Sequence, residues 1–521
     1  MRTGEWMILI LCWGLIIQSW RGAWPAGFGG AAGKAAVIGI ISTGIVLHAV
    51  TEGLRWQMVP LYIILLGFAS RDVIRLVRVK PLQRKGGSLE ASHGNAFHAR
   101  PQSRSRIWTG IQAGTVTVGL LLASALPVLL PVPRLPEPDG PYAIGTLTYH
   151  WVDRDRQETL APRSVTAGPR ELMAQIWYPA QLNGKETRQD YAPYVPDLSR
   201  WSRAVAGEYP VPAFLLSHLS LVKTHAVNGA EVSEERERYP VILFSHGFPG
   251  TRFTNGAQLE EWASQGFIVV SIEHAYSALA TVFPDGRTAM LSQGVPEFTD
   301  NEGWDEFITE VWTEDVRTVL KELKQVNRQD PHGMLTDKLD LERIGMAGHS
   351  FGGATAVQAL MAEPDMKAAL NMDGSLFGGV APAGGIGKPL LIMTARGRGT
   401  QPGENAEEPT DAQLKEQGIN RETYQFIVKE MPKRKARALR GGGLELTITP
   451  ASHMSFSDYH LLSPLLAWMD GVEPMKTNQT INNYATAFFK AHLYGTAEAL
   501  LKPGKTAGTT PAGESEVLIK Y

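Results

Sequence analysis

Cysteine is nearly absent. The 521 residues contain one, Cys12, inside an apolar run, so no intrachain disulfide and no cysteine-built metal site can form. Net charge is also scarce: 50 Lys and Arg against 52 Asp and Glu leave −2, which gives no reason to expect a nucleic-acid partner. No internal repeat is visible. Long uncharged runs are missing from most of the chain, and where they occur they crowd into the first 135 residues. The remainder reads as soluble.

Four such runs stand out: Trp6–Trp20, Ala35–Val50, Trp56–Ser70 and Ile107–Leu130. A spanning helix needs about 20 mostly apolar residues, with a lower limit of about 17. The fourth run meets this, and the other three fall slightly short. Charges are absent from them and tryptophans mark several ends, as expected at membrane interfaces. No small-residue cleavage site follows the first run, which argues against a signal peptide. The expectation is a bundle of four transmembrane helices in residues 1–135. The loop between the third and fourth runs carries Arg71, Arg75, Arg78, Lys80, Arg84, Lys85, Arg100, Arg104 and Arg106 against Asp72 and Glu90. The positive-inside rule puts this loop in the cytoplasm, and Arg21 and Lys34 agree. Everything after the fourth span is then extracytoplasmic, attached to the cell membrane by a multi-pass anchor.

The stretch "PVPRLPEPDGP", Pro131–Pro141, cannot continue a helix and reads as a stiff tether. A second domain, residues 136–521, follows. Here apolar strand-like runs alternate with helical patterns. "PVILFSHG" (240–247) precedes a helical "NGAQLEEWASQG" (255–266), then the strand run "FIVVSIEH" (267–274), a long helical pattern over 304–326, and "RIGMAGHS" (343–350). Further strands are expected at 367–372, 389–394 and 444–449. Continuous apolar strands separated by helices predict a mostly parallel sheet covered on both faces.

Within this pattern lies "GHSFGG", Gly348–Gly353. A strand runs into it, and "FGGATAVQALM" leaves it with Ala354, Val357, Leu360 and Met361 at helical spacing. Strand, tight glycine turn and helix form the context in which Gly-x-Ser-x-Gly lifts a serine clear of the backbone. Ser350 is therefore the expected nucleophile. The turn also leaves the Phe351 amide at a helix N-terminus, where backbone donors favour negative charge.

A serine hydroxyl needs a base, and the base needs an orienting carboxylate. Both should follow at the ends of later strands. "AALNMDG" offers Asp373, and "LELTITPASHMSFSD" offers His453. Among 13 histidines, His349 lies inside the elbow, His246 and His274 precede the nucleophile, and His460 falls in the next helix. Asp458 is the fallback acid, better suited to starting a helix. "FSHGFPGTR" (244–252) ends an early strand with a His-Gly pair, making Phe248 the second oxyanion amide beside Phe351.

Taken together, "PVILFSHGFPGTR", "EEWASQGFIVVSIEH" and "GHSFGG" resemble the platelet-activating factor acetylhydrolase family of the plasma and intracellular type II kind, within the α/β hydrolases. The resemblance covers roughly Ile144–Tyr494. It implies a serine esterase with no metal or other cofactor, acting on phospholipids with a short or oxidised acyl chain. The four spans and a polar insertion, Arg396–Gly443 with Lys433, Arg434, Lys435, Arg437 and Arg440, depart from the family's domain. The segment Pro210–Val222 reads either as a lid or as a core helix. An envelope acyltransferase using the same triad, or a non-enzymatic membrane sensor, are the rival readings. Oligomeric state is left open.

Overall fold

A computed structural model describes residues 1–21, 30–78, 104–162, 168–187, 189–397, 408–416, 418–501 and 516–520. The chain forms two compact units, Met1–Val132 and Pro133–Tyr521.

The first unit contains the helices Thr3–Arg21, Ala31–Thr51, Val59–Arg78 and Arg104–Leu129. They pack around Ile8, Cys12, Ile16, Ile41, Met58, Leu61 and Leu65. Three stretches are long and apolar enough to cross a membrane: Thr3–Trp20, Ala31–Thr51 and Trp56–Ile74. In the fourth helix the apolar stretch among the described side chains is Gly114–Leu129. Most of the basic loop, residues 79–103, lies outside the described residues, as does 22–29. At one end of the bundle buried Arg55 bonds both oxygens of Glu5 (2.7 and 3.0 Å) and the carbonyls of Pro127 and Leu130, joining three helices. Glu5, His48 and Glu52 bring donor atoms within 4.8 Å of one another. Arg2 and Arg55 already occupy the Glu5 carboxylate, and two guanidiniums oppose a third cation.

The second unit is built on a sheet. Its strands are β1 (Ala143–Gln157), β2 (Pro169–Gln181), β3 (Tyr191–Pro193), β4 (Lys223–Asn228), β5 (Glu231–Val232), β6 (Tyr239–Ser245) and β7 (Ile268–Glu273). After a small hairpin of β8 (Ala280–Val282) and β9 (Thr288–Met290) come β10 (Leu339–His349), β11 (Met366–Met372), β12 (Leu390–Ala395), β13 (Leu444–Thr449) and β14 (Glu516–Lys520). Their order is β14-β13-β12-β11-β10-β6-β7-β2-β1-β4-β3, with β5 beside β2. From β13 to β7 all neighbours are parallel. On one side β2 turns antiparallel against β7, and on the other β14 turns antiparallel against β13.

The sequence dictates this layering through its period-2 alternation. In β6, Val241 and Leu243 enter one core and Ile242 and Phe244 the other. The same alternation divides Leu390 and Ile392 from Leu391 and Met393 in β12. The first face is covered by Val316, Val319 and Leu323 of the Thr313–Arg328 helix, and by Val357 and Leu360 of the Phe351–Ala362 helix. Leu259 and Trp262 of the Gly256–Ser264 helix, with Phe488 and Phe489 of the Pro474–Phe489 helix, cover the second. Trp262 and Phe488 are fully buried, so truncating either to alanine should cost about 3–5 kcal/mol.

The proline-rich connection is docked on the second unit in its later half. Leu135 is buried beside Tyr194 and Trp201. The Asp139 and Gly140 amides donate to Glu261 Oε2 (3.0 Å) and Ser264 Oγ (3.1 Å). The segment expected as lid or core helix is a 3₁₀ turn, Ala213–Leu221, with no fully buried residue. Leu216 and Leu219 pack inward while Phe214 is exposed.

Candidate active site

The carboxyl ends of β6, β10, β11 and β13 carry the sequence-selected residues, at the edge where open α/β sheets place their ligands. β10 ends at His349, and the Phe351–Ala362 helix begins two residues later. Ser350 makes the turn at φ 56°, ψ −119°, a conformation that costs a non-glycine residue of order 1–3 kcal/mol. The flanking glycines make that turn possible. A methyl group on Gly348 would overlap the Gly352 carbonyl, and one on Gly352 would overlap the Ser245 carbonyl of β6. Both contacts are backbone on backbone, so neither can relax.

Asp373 follows β11 with φ 51° and is fixed at both ends. Its N–H donates to Met393 O (2.8 Å), and its Oδ1 accepts from Ala395 N–H (2.8 Å). Its Oδ2 lies 2.8 Å from His453 Nδ1. A carboxylate opposite Nδ1 requires Nδ1–H, which leaves Nε2 as the basic nitrogen. Burial pushes the Asp373 pKa up, but the bonds from His453 and Ala395 outweigh it and hold the carboxyl below its usual range. His453 is 44% exposed, at the head of a 3₁₀ turn after β13. His349 Nε2 donates to the His453 carbonyl (3.0 Å), and the two rings lie 4.7 Å apart. The elbow histidine thereby braces the backbone that carries His453. Burial, then the His453 charge, lowers its own pKa to about 3, so it stays neutral. Among the described residues the Ser350 hydroxyl makes no hydrogen bond. Nucleophile–base contacts are often long without substrate and tighten in the complex.

Two amides border the serine. The loop after β6 brings Gly247 against the elbow, where an added methyl would lie 3.2 Å from Ser350 Cβ and 3.0 Å from His349 Nδ1. Phe248 follows. Phe351 opens the helix, and first-turn amides have no intrahelical acceptor. Their rings begin an aromatic wall: Phe248 meets Phe351 edge-on at 5.7 Å, Trp304 lies 4.5 Å from Phe351, and Phe377 stacks on Phe351 at 5.6 Å and 7°. The insertion supplies the next ring, Phe426, stacked 5.5 Å from Phe377. Arg434 locks it there, with two 2.8 Å bonds to Asp305 and others to the carbonyls of Leu376 and Gly378. A cavity of about 210 Å³ lies behind Asp373, lined partly by Ile427, Met431 and Pro432 of the insertion. Residues 398–407 of the insertion lie outside the described residues.

The fallback acid is elsewhere. Asp458 precedes the Tyr459–Leu462 helix but does not cap it. Its Oδ2 accepts from Tyr194 OH (3.1 Å) and from Ala257 N–H (3.3 Å), at the start of a different helix. Burial raises its pKa to about 8. His460 pairs with Asp470 (2.9 Å). His246 and His274 join a buried network that the sequence pattern did not reveal: Ser245 Oγ bonds His274 Nε2 (2.8 Å), and His274 Nδ1 bonds Asp315 Oδ2 (2.8 Å). One signal was available. Both "FSH" and "IEH" place polar residues at the same edge of adjacent parallel strands.

A mostly parallel, two-faced sheet, with a serine on a strained strand-to-helix elbow and later loops converging on it, defines an α/β hydrolase. Within that class the family model for platelet-activating factor acetylhydrolase, isoform II, matches residues 132–393, half of the chain, and the protein belongs to this family. The match includes the Phe248 loop, the elbow and Asp373, and ends before His453. A probable 1-alkyl-2-acetylglycerophosphocholine esterase of Arthroderma benhamiae is 25% identical over 283 residues, 52% of this chain and 66% of that protein. The platelet-activating factor acetylhydrolase of Gallus gallus is 23% identical over 298 residues, 49% of this chain and 63% of the other. The chain thus spans slightly less than two thirds of these relatives' length. A ferulic acid esterase from Streptomyces cinnamoneus superposes with a TM-score of 0.55 at 27% identity, covering 74% of this chain and 99% of that one.

Proposed function

We propose that the protein is a membrane-anchored serine esterase that hydrolyses carboxylic esters, including short-acyl phospholipids, on the extracytoplasmic side. The observation that carries this reading is the His453–Asp373 pair at the strand ends beside Ser350 on its strained turn. Ser350 attacks the acyl carbonyl while His453 Nε2 takes its proton. Asp373 holds the imidazole tautomer and stabilises the imidazolium. The amides of Phe248 and Phe351 receive the tetrahedral oxyanion, each donor contributing about 3–4 kcal/mol in comparable sites. The protonated His453 then gives its proton to the leaving alcohol, and water attacks the acyl-enzyme by the same steps.

Lipid-borne esters are supported by family membership and by the surface next to His453. Ser452 Oγ donates to Asp470 (2.6 Å), which ties the Pro464–Met469 helix to the His453 loop. On that helix Trp468 is 77% and Met469 67% exposed. The anchor is read as four spans, the Arg104–Leu129 helix being the fourth, with the basic loop inside.

The test is labelling of the purified protein by a serine-reactive phosphonate, followed by esters of graded chain length. Labelling at Ser350 and faster cleavage of acetyl to butyryl than of palmitoyl esters are expected, each unaccommodated methylene forfeiting about 0.8 kcal/mol of burial. No label at Ser350 in folded protein would leave a non-catalytic sensor. Acyl transfer to added alcohols in preference to water would make the protein a transferase. Reporters active only outside the cytoplasm should work after Tyr521 and fail near Gly94 (a position outside the described residues); the opposite result reverses the topology.

A further inference from the structure

The loop that delivers Phe248 is held from beneath by polar groups that touch no substrate. Ser245, His274 and Asp315 are each fully buried. Asp315 accepts from Arg170 Nη2 (2.7 Å), Arg170 Nε (3.1 Å) and Arg156 (2.8 Å), so it remains a carboxylate. It accepts the Nδ1–H of His274, which fixes His274 Nε2 as the acceptor for the Ser245 hydroxyl. The His274 ring also stacks on Trp312, 4.1 Å away at 10°. Trp312 closes a π-helical turn, Ile308–Trp312, of the kind frequent at functional sites.

His246 rests on this platform, edge-on to His274 and to Trp312, each at 5.3 Å. Both of its ring nitrogens have assigned roles. The His274 N–H points at Nε2 (3.4 Å), so Nε2 accepts. Nδ1 lies 2.9 Å from the Gly247 carbonyl oxygen, so Nδ1 must carry the hydrogen and donate. The Gly250 N–H donates to the same carbonyl. The Gly247–Phe248 peptide is not among the cis bonds, and in a planar trans peptide the N–H points opposite to the C=O. Fixing the Gly247 oxygen therefore fixes the direction of the Phe248 N–H.

We propose that His246, held in register by His274 and Asp315, is the positioning residue for the Phe248 oxyanion donor. It acts through the peptide plane and touches no reacting atom. The inference rests on the esterase reading above. Gly352 binds the platform to the nucleophile as well, since its α-carbon packs directly against the Ser245 and His246 carbonyls. One buried assembly thus sets the distance between the serine and the donor.

The test compares His246→Leu, His246→Gln and His246→Asn in the full-length protein with a dissolved short-chain ester and a trifluoromethyl ketone, which forms a tetrahedral oxyanion adduct. Asparagine returns an N–H near the Nδ1 position, whereas glutamine reaches the Nε2 position and leaves the Gly247 oxygen without its side-chain donor. His246→Leu and His246→Gln should lower kcat by about 10- to 100-fold with KM within about threefold, because the lost interaction belongs to the transition state. The ketone's Ki should weaken by the same factor as kcat/KM, a correlation that general loosening of the fold would not produce. His246→Asn should recover most of the loss. If His246→Leu fails to fold, the Gln and Asn pair decides. Wild-type kcat and ketone affinity in folded His246→Gln overturn the proposal, as does a loss of kcat with unchanged ketone affinity. A wild-type protein with neither hydrolysis nor a phosphonate adduct at Ser350 instead removes the esterase reading and this inference with it.

Discussion

The second unit holds two groups of Ser, His and Asp side chains, the proposed catalytic one at the mouth of the sheet and a buried one inside it. In the outer array His453 is 44% exposed and Asp373 18%, and Ser350 stands on a strained turn. In the inner array Ser245, His274 and Asp315 have no exposure, and every link is closed. The two use the same side chains, so composition does not separate a nucleophile from a brace. Access and surroundings do. The Asp373 carboxylate has one imidazole to serve, while two guanidiniums saturate Asp315. The inner hydroxyl is pinned to its histidine where no carbonyl can reach, and the outer one is presented at a helix N-terminus, where developing negative charge is favoured.

The largest effect should come from breaking the outer array. Ser350→Ala and His453→Ala should each reduce ester turnover by about 10⁴- to 10⁶-fold without unfolding, since only binding and oxyanion contributions survive. Ser245→Ala should still label at Ser350 with phosphonate. Wild-type turnover in folded Ser350→Ala protein would exchange the roles of the two serines.

Next in size is the acid. Asp373→Asn should lower kcat by about 10⁴-fold, because an amide there favours the wrong tautomer of His453. Asp458→Asn should change kcat little, as its carboxyl faces Tyr194 and Ala257 rather than the imidazole. Steady-state kinetics of the two variants read this directly.

Stability should show the reverse preference. Asp315→Ala leaves Arg170, itself 2% exposed, with Glu158 in place of two carboxylates and removes the acceptor of His274 Nδ1, and should cost about 3–5 kcal/mol, visible as a lowered Tm or denaturation midpoint. Asp373→Ala, at the solvent edge, should move the midpoint far less. Equal losses would mean that both arrays serve the fold alike.

A further contrast is a pH dependence. Burial raises the Asp458 pKa to about 8, against about 3.9 in an unfolded chain. Between these values the folded state holds a proton that the unfolded state has released, so this group's contribution to stability is complete below pH 4 and declines as pH rises towards 8. Asp458→Asn abolishes the titration. Plotted against pH, the Tm difference of wild type minus variant should fall steadily from pH 4 to 8. A flat difference would show that Asp458 ionises normally.

Much of this was legible because parallel strands buried on both faces appear as unbroken apolar runs. β6, β7, β10, β11, β12 and β13 all fall where such runs predicted strands, and the elbow follows from strand, glycine turn and helix. β1 and β2 were not foreseen. β1 runs from "AIGTLTY" into "HWVDRDRQ", and the charged half hides a strand that continues beyond the core. The inner array was illegible for a different reason. Its members come from β6, the residue after β7 and the Thr313–Arg328 helix, and only tertiary packing converts isolated polar residues in apolar surroundings into one network. Asp458 exposes a limit of local pattern: an acidic residue ahead of a helix predicts a cap, yet its carboxylate serves a helix 200 residues earlier in the chain.

The close backbone approach at the elbow also sets how the motif tolerates mutation. At Gly348, Gly352 and Gly374 the atom that an added methyl would strike is a main-chain carbonyl, which no rotamer change can move, so even alanine is refused. At Ser350 a smaller side chain fits, and under the proposed function only the reaction is lost. A saturation scan read separately for protein abundance and for turnover would divide the region accordingly, with the glycines intolerant in both channels and the serine in one. A single short segment would thus answer to two selective pressures, one enforced by the space between backbone strands and the other by the proposed ester chemistry.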